Sequence, residues 1–150
     1  MNYAKEFMSQ RLILFLTAVF VLSCCGFLAT PFERAGAVAI SIGAGVVFVI
    51  IVEYVVHRFV LHEFPWLIPY AYRGHVAHHE KPTDVNHLFG PVSVDLVGYL
   101  IVLGGSYVLT GNNWNLTFAV MVGASCFQIY YQWKHYVSHR PITPLTPWGK

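Results

Sequence analysis

Apolar residues in this chain fall into four long runs, without the polar stripe that the surface helix of a soluble domain carries. The first covers Leu12 to Ala29 and the second Ala35 to Val56; the third runs from about Val92 to Leu109 and the fourth from Leu116 to Trp133. A hydrocarbon core about 30 Å thick takes roughly 20 helical residues, with about 17–25 as the working range. Each run therefore predicts one membrane-spanning helix. The second is dotted with small residues (Gly36, Ala37, Ala39, Ser41, Gly43, Ala44, Gly45), which would let a neighbouring helix come close. The expected fold is all-α and polytopic: a single domain over residues 1–150, four transmembrane helices, and a histidine-rich cap on one side.

Composition agrees with this reading. The chain is 56% hydrophobic and only 11% charged, whereas a typical soluble domain is about half apolar and about a quarter charged. A net charge of +2 is too weak to point to nucleic acid. The polar start, Met1 to Arg11, leads into the first run with no small-residue cleavage pattern after it, so that run is expected to stay in the mature protein. Cys24, Cys25 and Cys126 lie inside apolar runs without metal-binding spacing and read as small buried hydrophobes.

The placement of the charges gives an orientation. Lys5 and Arg11 precede the first run, Arg58, Arg73 and Lys81 lie between the second and third, and Lys134, Arg140 and Lys150 follow the fourth. Only Arg34 falls on the other side. Eight of nine basic residues thus share one side, which the positive-inside rule makes cytoplasmic, together with both termini. The expected location is a bacterial inner membrane or the endoplasmic reticulum. The long connection from His57 to Pro91 mixes aromatics, prolines and charge (Phe64, Pro65, Trp66, Pro69, Tyr70, Tyr72), as an interfacial segment or cap would.

All eight histidines (His57, His62, His75, His78, His79, His87, His135, His139) fall on that same side, none near the middle of a run. His75, His78 and His79 form HxxHH, a spacing that projects from one face of a helix, and His135 and His139 repeat the device at i, i+4. His57 and His62 stand five apart, roughly 140° on a regular helix, so they can cooperate if the second span unwinds or ends between them. Seven imidazoles from three segments exceed one tetrahedral zinc site and suit two metal ions; imidazole alone does not choose the metal. His87 reads as much like an interfacial anchor as like a ligand. Glu53, one turn before His57, is costly in an apolar run without a partner and could orient a ligating imidazole, as Asp84 and Asp95 could on weaker grounds. Tyr130, Tyr131 and Tyr136 read as an aromatic belt.

At these residues the chain resembles the fatty acid hydroxylase superfamily, which includes sphingolipid fatty acid hydroxylases, sterol desaturases and oxidases, and carotenoid hydroxylases. Glu53-Tyr54-Val55-Val56-His57-Arg58 through His62 is similar to its first histidine box. His75 to Asp84 resembles the HxxHHxxPxD box, and Tyr131 to His139 the box after the last span. The resemblance covers about residues 53–140. It implies a membrane oxidoreductase of monooxygenase type, with two metal ions, iron or alternatively zinc, held by His57, His62, His75, His78, His79, His135 and His139. It also implies O2 as co-substrate, a lipid or fatty acyl substrate drawn from the bilayer, and a separate electron donor such as a cytochrome b5-like protein or a ferredoxin. Gln132 stands where the family often has Asp. A further HxxHH box belongs shortly beyond this point, and the sequence reaches Lys150 without it; the expectation is a domain truncated at its C-terminus, whose 150 residues alone do not complete the site.

Other classes fit less well. A membrane haem electron carrier needs histidine pairs within the spans, and a metal transporter needs ionisable groups near mid-bilayer. A non-catalytic or incomplete metal-binding protein of the same fold shares every feature named so far.

Overall fold

A computed structural model of the chain describes residues 2–141. All regular elements among these residues are helices: α1 (Tyr3–Met8), α2 (Arg11–Ala29), α3 (Ala35–Val55), α4 (Pro69–Glu80), α5 (Val85–Leu88), α6 (Val92–Leu109) and α7 (Trp114–Ser138). A π-helix, Val56–Glu63, continues α3 without a break. Three stretches among the described residues are long and apolar enough to cross a membrane: Arg11–Ala29, Ala35–Glu63 and Val85–Leu109. Their outer faces are apolar and open, with Leu28, Ile40, Ile101 and Leu109 all exposed. Cys25 and Cys126 are also exposed, which corrects the expectation that the cysteines are buried.

The fourth predicted span lies within α7, which is less apolar than the other three because it is the centre of the bundle. It packs chiefly on α3 and α2, and buries Asn115, Thr117, Ser125, Gln128 and Gln132 inward. The closeness of α3 and α7 has a steric origin. A Cβ at Gly45 would stand 2.1 Å from the Val120 carbonyl oxygen, and one at Gly123 would stand 2.1 Å from that of Ile42. Of the small residues predicted to form a contact face on α3, Gly45 makes this approach and Ser41 is buried, whereas Gly36 and Gly43 face open space.

Hydrogen bonds identify which loops share an end. Asn113 donates to Glu33 Oε1 at 2.7 Å, and Asn115 donates to the Phe27 carbonyl at 3.1 Å. The α2–α3 and α6–α7 connections therefore meet at one end. At the opposite end Phe7 of α1 is buried against Phe89, Trp133 and Tyr136. Arg140 there donates to the Thr83 carbonyl at 2.6 Å. The N-terminal helix, the histidine segments and the end of α7 thus gather together. Lys150 and the expected C-terminal truncation lie outside the described residues.

Candidate metal centre

Three segments deliver seven imidazoles to this end. The first is the π-helix. Its backbone bonds run i to i+5, as from Phe64 N–H to the Phe59 carbonyl at 2.7 Å. That wider turn brings His57 and His62 onto one side, with ring centroids 5.1 Å apart. The segment neither unwinds nor ends between them, as the five-residue spacing had suggested; it changes winding. The second is α4, begun by Pro69 at its first position, where the missing N–H costs nothing. The third is the last turn of α7 and its cap, which carry His135 and His139.

The rings form two groups. In one, nitrogens of His57, His62 and His75 lie within 4.8 Å of one another; in the other, those of His78, His135 and His139 do. His79 joins the first group, with its Nε2 3.0 Å from His75 Nε2. The two groups touch where the His78 and His79 rings stand 5.8 Å apart. The HxxHH face of α4 is therefore divided, His75 and His79 turning to one group and His78 to the other.

The donor set fits a metal. His75 Nε2 lies 3.0 Å from both His62 Nε2 and His79 Nε2. A neutral imidazole nitrogen offers either one proton or one lone pair, so hydrogen bonding can satisfy only one of these approaches. Two nitrogens bound about 2.1 Å from one ion at right angles would stand about 3.0 Å apart. In the second group His78 Nδ1 is buried without a hydrogen-bond partner, a loss of about 1–3 kcal/mol that coordination to a cation would remove. Burial, reinforced by the neighbouring rings of His57 and His79, pushes His75 down to about 4. Burial likewise lowers His78, with His139 and His79 adding to the effect, and His139, with Arg140 adding. Neutral imidazole is the ligating form.

The carboxylates predicted to orient these rings are engaged elsewhere. Asp84 accepts from the Asn86 backbone N–H at 3.0 Å and caps α5, with its other oxygen 3.9 Å from His87. Glu53 accepts from Gln128 Nε2 at 3.3 Å, and the same nitrogen donates to Asp95 at 2.6 Å. Tyr99 completes this network by donating to Gln128 Oε1 at 2.7 Å. The sequence signal for Gln128 is a glutamine inside an apolar run; nothing in the sequence marks Tyr99. Tyr136 is fully buried and bonded to Glu6, so it is not part of an aromatic belt. Tyr130 is exposed, and Tyr131 faces the cavity.

That cavity has a volume of about 760 Å³. Its histidine end includes His57, His75, His78, His79, His135 and His139; His87 lines it too. It continues between α3 (Phe48, Val49, Val52) and α6 (Val94, Gly98, Ile101, Val102), with α7 behind. Beside the histidines lie the Glu53–Gln128–Asp95–Tyr99 network and Gln132.

No curated protein and no solved structure matches the chain. A family model described as fatty acid hydroxylase matches residues 42–150, which takes in all seven clustered histidines. The chain belongs to the fatty acid hydroxylase family.

Proposed function

We propose that the protein hydroxylates a C–H bond of a lipid or fatty acyl chain, using O2 and electrons from a separate donor, at a di-iron centre held by the two histidine groups. The observation that carries this reading is the meeting of seven imidazoles from three segments, six of them lining one end of a cavity whose walls are otherwise largely apolar. Family membership supports it.

The overall change is R–H + O2 + 2 e⁻ + 2 H⁺ → R–OH + H2O. Iron, when bound by these imidazoles, would supply the redox chemistry for reducing O2. The chain's own residues do the rest. His57, His62, His75 and His79 would hold one ion, and His78, His135 and His139 the other, as neutral ligands. Phe48, Val49, Val52, Val94 and Val102 offer an acyl chain an apolar wall and keep water from its methylenes. A chain entering between α3 and α6 can reach the histidines without leaving the bilayer. In this reading α7 is a fourth span, and the histidine end faces the cytoplasm with both termini, as the basic residues favour. A cytochrome b5-like protein or a ferredoxin is then the class of donor that would approach from that side.

The test combines metal analysis with labelled oxygen. Purified full-length protein reconstituted with Fe(II), given a reduced ferredoxin and acyl lipid, is expected to place one atom from ¹⁸O2 in the product. His78→Ala should lower the rate by at least about 100-fold, the scale on which disturbing a metal's ligands is felt. Purified protein holding no metal above background, together with an unaltered His78→Ala variant, refutes the proposal.

A further inference from the structure

The N-terminal helix α1 lies outside the stretch that the family model covers, which begins at residue 42, yet it reaches the second histidine group. Phe7, almost fully buried, anchors α1 against Trp133 and Tyr136, at centroid distances of 5.1 and 5.4 Å. This places Glu6 over the end of α7. One oxygen of Glu6, Oε2, accepts from the hydroxyl of Tyr136 and from Arg140 Nε, the latter at 3.2 Å. Tyr136 follows His135 in the chain, and Arg140 follows His139. Each donor to Glu6 is thus the neighbour of a clustered histidine.

Arg140 also carries the connection across to α4. Its side chain is 7% exposed and lies over the Tyr136 ring, 4.8 Å from the centroid. Its Nη1 donates to the carbonyl of Thr83, in the segment through which the chain leaves α4. His78 comes from α4, whereas His135 and His139 come from α7. The Glu6–Arg140–Thr83 contact ties those two elements together beside the ring contacts of His78 with His135 and His139, at 5.0 and 4.6 Å. The π-helix and its two histidines take no part in it. Without the carboxylate, the guanidinium would lose its charged partner and would no longer be held against the Thr83 carbonyl.

We infer that Glu6 is a positioning residue for the second histidine group: through Tyr136 and Arg140 it fixes the separation of His78 from His135 and His139, and so governs metal affinity at that group but not at the first. This rests on the reading that both groups hold metal, and it adds a role for a segment outside the matched family region.

Cobalt(II) titration of the full chain in detergent, followed by visible absorption, tests it. His62→Ala and His139→Ala assign the two binding events to the two groups. Glu6→Gln keeps the side chain's size and removes its charge, and is expected to weaken cobalt binding about 10-fold or more at the group containing His139, with its absorption band altered. Affinity at the group containing His62 should stay within about twofold. Tyr136→Phe, which removes one of the two donors and spares Arg140, should produce a smaller shift in the same group. Met8→Leu, on the exposed side of α1 and away from the anchor, should change neither affinity. Equal weakening of both groups in Glu6→Gln, or no change in either while the wild-type chain binds two ions, overturns the inference and leaves the metal reading standing. Failure of the wild-type chain to bind any cobalt overturns both.

Discussion

Placing a single methyl group at Gly123 or Gly45 should separate the two helices on which the rest of the bundle is built. At each glycine the added Cβ would lie 2.1 Å from a backbone carbonyl oxygen of the facing helix. Ordinary C···O contact needs about 3.3 Å, so α3 and α7 must part by about 1 Å, and no rotamer change can relieve a clash with backbone. Overpacking of this kind costs about 1–3 kcal/mol. Set against it is the gain from replacing glycine in a helix, about 0.5–1 kcal/mol. The net effect at Gly123 is a loss of up to about 2.5 kcal/mol, or a fall of up to roughly 10 °C at about 2–4 °C per kcal/mol for a chain of this size. Gly43 and Gly104 provide matched controls, since a Cβ at either meets nothing within 4 Å. Gly43→Ala and Gly104→Ala should leave the midpoint unchanged or raise it. The double variant Gly45→Ala/Gly123→Ala should lose less than the two single losses added, because once the helices have parted the second methyl finds room. Thermal unfolding of the purified variants in one detergent measures all five. If Gly123→Ala and Gly43→Ala shift the midpoint in the same direction by the same amount, the steric account of the α3–α7 contact is wrong.

Two further outcomes follow from the site. In metal-free protein the folded His75 ring titrates at about 4, against about 6.5 in an unfolded chain. Between those values the unfolded state binds the proton that the folded state refuses, so the contribution of this ring to stability is intact above about 6.5 and is lost as pH falls towards 4; imidazole NMR should find His75 still neutral at pH 5.5, and a midpoint at or above 6.5 would contradict the packing of the rings. Tyr99→Phe leaves Gln128 Oε1 without its buried donor and should cost about 1–3 kcal/mol, whereas Tyr130→Phe, on an exposed ring, should cost nothing measurable by the same melting assay.

The apolar runs located the long helices well because lipid-facing side chains need only be greasy, and a run of them is visible without knowing any partner. The third run coincides with α6 from Val92 to Leu109. The fourth extends beyond its predicted ends because its inward face is polar, which makes it weakest by hydropathy although it is the most buried. The seven clustered histidines were legible from spacing and family resemblance together. Their division into two groups was not, since which side of α4 meets α7 depends on how the helices pack. The winding of residues 56–63 was hidden for a related reason: α and π turns differ by one hydrogen-bond step, and the sequence pattern does not fix which is used. The partners of Asp84 and Glu53, Asn86 for one and Gln128 for the other, could not be read from their spacing to the histidines. Glu6 was invisible because Tyr136 and Arg140 lie 130 and 134 residues away.

The wide-turned stretch from Val56 to Glu63 has a consequence for how the chain tolerates change in length. Relative to ordinary winding it accommodates about one extra residue, and one residue is worth about 100° of azimuth. Upstream of it α3 keeps its orientation towards α7; downstream everything is swung round by that angle. Deleting one residue here would therefore act as a dial, turning the outer histidine of the pair to a new bearing while the embedded part of the helix stays where it was.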